Sequence, residues 1–114
     1  MRSDKLYLVD MVEAADHIGR FLLGISFERF EGDELRKSAV LQKLTVIGEA
    51  ASRVSAELKQ KRPEVGWQHI AAFRNMAVHA YFSVDWSIVW ETATRNTPEL
   101  RDRITRVLRE EFPD

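Results

Sequence analysis

Between residues 33 and 61 the apolar side chains Val40, Leu44, Ile47, Ala51, Val54 and Leu58 recur in alternating steps of four and three. That spacing scatters the residues over both faces of a strand but lays one continuous seam along a helix, which must then be buried against other helices. The same repeat fills much of the remaining chain. Leu8, Val12, Ala15, Ile18 and Leu22 form a stripe over residues 4 to 23, and only 5 glycines and 3 prolines interrupt the 114 residues. The pattern predicts an all-α fold, a four- to five-helix up-and-down bundle, as one domain over residues 1–114.

Local signals set the expected ends. Asp4 or Ser3 is the N-cap of the first helix and Gly24 ends it. Ser26 to Asp33 reads as a polar and aromatic connector. Lys59, Lys61 and Arg62 stand where positive charge favours a helix C-terminus, and Pro63 prevents continuation of the long second helix. A third helix is expected over residues 67 to 80 and a fourth from Trp86, capped by Asp85. Pro98 either kinks that last helix or starts a new one with Thr97 as its cap.

Charge narrows the function classes. With 17 basic and 18 acidic residues the formal net charge is −1, so no global field holds nucleic acid or an anionic membrane, and any such contact must be local. The absence of cysteine excludes disulfides, thiolate metal sites and cysteine nucleophiles. Asp10, Glu13 and Asp16 interrupt the N-terminal segment, which speaks against a signal peptide or membrane span. A cytoplasmic protein is the expectation.

The chemistry concentrates in Arg74-Asn75-Met76-Ala77-Val78-His79-Ala80-Tyr81. Arginine offers a planar fork of donors matched to phosphate oxygens, and histidine transfers protons near neutrality. Together they point to phosphodiester chemistry. On an ideal helix Arg74 and Tyr81 share a face with Trp67, Ile70, Ala71 and Val78, while His79 projects roughly 140° from Arg74, beside Asn75. The three side chains therefore converge only if the helix ends near His79 or a second copy completes the site. Taken singly, the same residues also fit a buried ion pair at Arg74, a helix-end histidine and a packed tyrosine.

Arg74, His79 and Tyr81, with their spacing of four residues and then one, resemble the motif of the HepT type of HEPN-domain toxins. The resemblance extends through Tyr7-Leu8-Val9-Asp10-Met11, Ser26-Phe27-Glu28, Ile47-Gly48-Glu49-Ala50-Ala51, Pro63-Glu64 with Trp67, and Ile88-Val89-Trp90-Glu91. It implies a HEPN-like twofold dimer with two copies of the motif facing one cleft. It also implies a metal-independent endoribonuclease without cofactor, encoded beside a minimal nucleotidyltransferase antitoxin. That antitoxin silences the toxin by attaching AMP at the tyrosine matching Tyr81, and higher assembly with it is open. In these roles Arg74 holds the scissile phosphate and His79 takes the proton of the ribose 2′-hydroxyl. Asn75, one turn before His79, fits two readings equally: an amide that orients the imidazole or binds a phosphate oxygen, and a plain helix-surface asparagine.

Other candidates are weaker. His17, beside Asp16, and His69 lack partners at metal-ligand spacing, so no metal site is expected. Trp67 and Phe82 flank the run and are the aromatics that could stack on bases. Arg95, Arg103, Arg106 and Arg109 cluster opposite Leu100, Ile104, Val107 and Leu108, as a solvated face or a track for an RNA backbone. Glu49, off the seam, is a potential partner for an arginine of the run. The rival to the ribonuclease is a noncatalytic helical module that binds nucleotide or nucleic acid, or docks onto a nucleotidyltransferase. A third reading is a purely structural dimerisation bundle.

Overall fold

Helix α3 (Glu34–Arg53) is the element against which the two other motif-relevant helices pack, α1 (Asp4–Leu22) and α5 (Trp67–Val78). The computed structural model describes residues 2–78 and 85–114. Among them the remaining elements are α2 (Phe27–Glu31), α4 (Ala56–Lys61), a 3-10 turn at Pro63–Val65, α6 (Trp86–Glu91), a π-helical segment Thr92–Asn96 and α7 (Thr97–Glu111). Regular structure in the described residues is helical throughout, as the apolar repeat predicted. None of these helices is long and apolar enough to cross a membrane.

The seam forms the core. Val40, Leu44, Ile47, Ala51, Val54 and Leu58 are all buried, facing Leu8, Met11, Ala15 and Ile18 of α1 and Ile70 and Phe73 of α5 within one apolar cluster. Helix α7 adds Leu100, Ile104 and Val107 and packs on α1. Each fully buried valine, leucine or isoleucine contributes about 1.5–3 kcal/mol through removal of apolar surface from water, so the seam contributes substantially to fold stability.

The expected single helix over residues 33 to 61 is broken. Val54 turns to extended backbone, and Ser55 caps α4 by accepting from the backbone N–H of Leu58. The Asp4 carboxylate accepts from the Ser55 backbone N–H at 2.9 Å and from its hydroxyl at 2.6 Å. The break costs the seam nothing, because Val54 and Leu58 remain buried on either side of it. Asp4 is thereby committed to α4, and Ser3 is the residue that caps α1.

The connector also contains a helix that the polar composition hid. Ser26 accepts from the N–H of Arg29 and starts α2, whose Phe30 is completely buried. Its ring lies 6.0 Å from that of Trp86 and 5.3 Å from that of Trp90, so α2 closes over the start of α6. There Asp85 caps the helix as predicted, accepting from the N–H of Ser87 at 3.0 Å.

At Pro98 the backbone stays helical through Asn96 and Thr97. The widened π turn takes the chain past a proline whose ring would otherwise meet the carbonyl four residues back. Thr97 is not a cap: it is buried, and its hydroxyl donates to the Thr92 carbonyl at 2.8 Å.

An ion-pair cluster fastens the far end of the bundle. Arg62 contacts Glu110 at 2.6 Å, Glu64 at 2.9 Å and Glu111 at 3.2 Å, while Lys61 reaches Glu111 at 2.8 Å. Glu110 above all holds the Arg62 guanidinium more firmly protonated than usual. Lys61, followed by Arg62, holds the Glu111 carboxyl below the usual range.

Candidate functional site

Arg74 is positioned by a contact that only glycine permits. A Cβ at Gly48 of α3 would stand 2.7 Å from the backbone nitrogen of Arg74, 2.8 Å from its Cβ and 3.1 Å from its Cα. Real atoms do not approach so closely, so α3 and α5 meet backbone to backbone here. The buried face of α5 is Trp67, Ile70 and Phe73, whereas Ala71 is exposed. Ideal-helix geometry instead put Arg74 and Ala71 among the apolar residues. The difference follows from Gly48: the interface is made with the root of Arg74, and its side chain leaves at the edge.

Outside that interface the guanidinium meets Glu49, the residue after Gly48. Nε of Arg74 lies 2.8 Å from Oε1 of Glu49, with the two side chains 51% and 39% exposed. The suggested partner of the run's arginine is therefore present, but the pair is half exposed rather than buried. Asn75 is exposed on α5. His79 and Tyr81 lie outside the described residues, as does Phe82.

Glu49 also lines a groove of about 720 Å³ that runs along α3 past Tyr7, Leu41, Thr45 and Val46 to Trp86 at the start of α6. Its lining combines apolar and aromatic side chains with charges of both signs. Arg2 pairs with Asp10 at 2.6 Å, and Lys37 contacts Glu34 at 3.1 Å. Lys37 is buried, donates to the Glu31 carbonyl at 2.9 Å and places its ammonium 4.5 Å from the centre of the Trp86 ring. Sequence reasoning passed over Lys37; the only signal was a lysine in register with the seam, three residues before Val40.

The remaining candidates fall into structural roles. Trp67 is 8% exposed, and its indole N–H donates to the Arg62 carbonyl at 3.0 Å, so it is a core anchor and no stacking platform. The His17 ring stacks on Phe21 at 6.2 Å, and Asp16 pairs with Arg101 at 3.0 Å. His69 is exposed beside Gly66. On the C-terminal basic face Arg95 is taken by Glu91 at 2.8 Å and Arg103 approaches Glu99 at 4.0 Å, which weakens that face as an RNA track.

The family model described as "Ribonuclease HepT-like" matches residues 11–107. The chain is similar to a protein of Thermococcus cleftensis named "Probable ribonuclease HepT", with 36% identity over 106 residues, 93% of this chain and 96% of that one. A protein of Caldanaerobacter subterraneus subsp. tengcongensis, named as a candidate RNase, is 32% identical over 111 residues, 97% of this chain and 99% of the relative. Another so named, from Methanocaldococcus jannaschii, is 32% identical over 109 residues, covering 96% and 90%. No solved structure gives a significant match.

Proposed function

This chain belongs to the HepT-like ribonuclease family, and from that premise we propose that it is the toxin of a toxin–antitoxin pair, a metal-independent endoribonuclease acting through Arg74 and His79. The observation that carries the reading is Arg74 itself. Its root is fixed against Gly48, and its half-exposed guanidinium sits beside a groove-lining residue, five positions before a histidine.

In the proposed reaction the imidazole of His79 accepts the proton of a ribose 2′-hydroxyl. The 2′ oxygen attacks the adjacent phosphorus as the bond to the 5′ oxygen breaks, and the leaving oxygen takes up a proton. The products are a cyclic phosphate and a free 5′-hydroxyl. Arg74 offsets the extra negative charge on the pentavalent phosphorus, where fixed donors act most strongly. Asn75, one turn before His79, orients the imidazole or binds a phosphate oxygen. The nucleophile belongs to the substrate and the arginine supplies the positive charge, so the reaction needs no metal.

The protein acts as a homodimer. The roughly 140° between Arg74 and His79 on a regular helix lets the arginine of one copy meet the histidine of the other across a twofold axis. Attachment of AMP to Tyr81 by a nucleotidyltransferase antitoxin places a bulky anion next to His79 that blocks RNA and competes for Arg74.

The test is incubation of unmodified protein with single-stranded RNA in excess chelator, scoring cyclic-phosphate ends against a folded His79→Ala control. Cleavage by wild type alone is expected. RNA binding without turnover would move the assignment to a noncatalytic module that uses Arg74 as an anion anchor.

A further inference from the structure

The two ends of Arg74 are held by consecutive residues of α3. Gly48 fixes the backbone and Cβ, and Glu49 meets the guanidinium at Nε, the nitrogen nearest the chain. We propose that Glu49 is a positioning residue: it fixes the guanidinium by its root so that the distal nitrogens are presented to the phosphate of a bound RNA. The proposal rests on the ribonuclease reading and deepens it.

Two features of the pair favour this role over an incidental surface contact. Arg53 lies four residues after Glu49 on the same helix, where a glutamate followed by a cation is a favourable local pair, and it lines the same groove. Among the described residues the Glu49 carboxylate is instead paired across the helix interface with Arg74. Arginine also carries substantial rotamer freedom, which is lost whenever it must grip a phosphate in one geometry. Restricting both ends beforehand means that much of this loss has been met before RNA arrives.

A carboxylate beside Arg74 has an opposing effect, because it partly neutralises the charge that attracts phosphate. The kinetic constants separate the two. A half-exposed ion pair changes an equilibrium by about fivefold at most, and that bound holds both for its competition with RNA and for its bias of the guanidinium toward one geometry. Competition acts on KM and orientation acts on kcat.

Removing Glu49 should therefore lower kcat while leaving KM unchanged or reduced. Glu49→Ala and the near-isosteric Glu49→Gln are compared with wild type on single-stranded RNA in chelator, with thermal melts to show that both are folded. The expected result is a fall in kcat of up to about fivefold for Ala, the most by which such a pair can bias the guanidinium, and less for Gln, with KM no higher than wild type. An unchanged kcat, or a raised KM at constant kcat, overturns the positioning role while leaving wild-type cleavage standing.

A second readout needs no turnover. The Arg74 Nε–H signal in a 15N NMR spectrum, identified by its loss in Arg74→Lys, should shift in Glu49→Gln, because that variant removes a carboxylate charge 2.8 Å from the nitrogen. If wild type cleaves no RNA, the ribonuclease reading falls. A signal indifferent to Glu49→Gln then removes the positioning role as well, and a responsive one retains Glu49 as the anchor of Arg74 in an anion-binding module.

Discussion

Gly48 and Arg74 touch through their main chains, and the space for a methyl group at position 48 is already occupied by the Arg74 backbone nitrogen at 2.7 Å. The contact couples packing to the proposed chemistry. Gly48→Ala must push α5 away from α3, and neither backbone can move aside like the tip of a flexible side chain. Overpacking of this kind costs about 1–3 kcal/mol, offset in small part by the better helix propensity of alanine. Chemical denaturation should register that loss, and RNA cleavage should fall by more than the folded fraction explains. An alanine variant as stable and as active as wild type would mean that the helices separate freely at this point.

Lys37 tests a different join. Its ammonium caps the Trp86 ring at 4.5 Å and satisfies the Glu31 carbonyl, tying α2 and α3 to the first residue of α6. Lys37→Met keeps the aliphatic stem but removes the charge, with an expected loss of about 1–2 kcal/mol from the cation–π contact and the unpaired carbonyl. Lys37→Arg should retain most of the stability. Tryptophan fluorescence during urea unfolding follows both variants, and a neutral Lys37→Met would show that the aromatic packing of Phe30 on Trp86 and Trp90 is sufficient alone.

Much of this architecture was legible because it depends on local periodicity. The seam from Val40 to Leu58 is buried throughout, Asp85 is the cap its position suggested, and Glu49 does meet the arginine of the run. The break at Ser55 was not legible, because Val54 and Leu58 keep the apolar register across it and the carboxylate that stabilises it comes from Asp4, 51 residues away. Helix α2 was hidden because it has only five residues, too short a run to show a period. The exposed course of Arg74 follows from Gly48 on another helix, information that no reading of α5 alone contains. His79 and Tyr81 lie outside the described residues, so the motif's second half stands on sequence.

Acid should loosen specific helix ends. The Asp85 carboxyl is held below its ordinary value by the Ser87 hydroxyl and then by the backbone N–H groups of Ser87 and Ile88. The backbone N–H of Arg36, followed by its side chain, does the same for Asp33. A carboxyl more acidic folded than unfolded adds stability that is complete above the unfolded value, about pH 4, and is lost as pH falls through the lower folded value. Asp85→Asn should consequently melt below wild type at neutral pH, and the gap should narrow as pH drops toward about 3. Melting curves across that range check the sign, and a gap that widens on acidification would contradict it.

Arg74→Lys separates charge from geometry at the proposed phosphate site. Lysine keeps the positive charge but replaces the planar fork with a single ammonium, which cannot engage two phosphate oxygens in the same fixed geometry. Because the Arg74 side chain is half exposed, the substitution should leave the melting temperature nearly unchanged. The chemical step should suffer instead. Loss of one preorganised donor to a developing oxyanion costs about 100- to 1,000-fold, and the retained charge places the expected fall in kcat near the lower end, about 100-fold. RNA affinity at low salt should change only a few-fold, since attraction over distance depends on charge rather than on the fork. Single-turnover cleavage with saturating enzyme isolates that step. A lysine variant with wild-type kcat would mean that Arg74 contributes only charge, so that the anchoring at Gly48 and Glu49 serves the helix interface and not phosphate transfer.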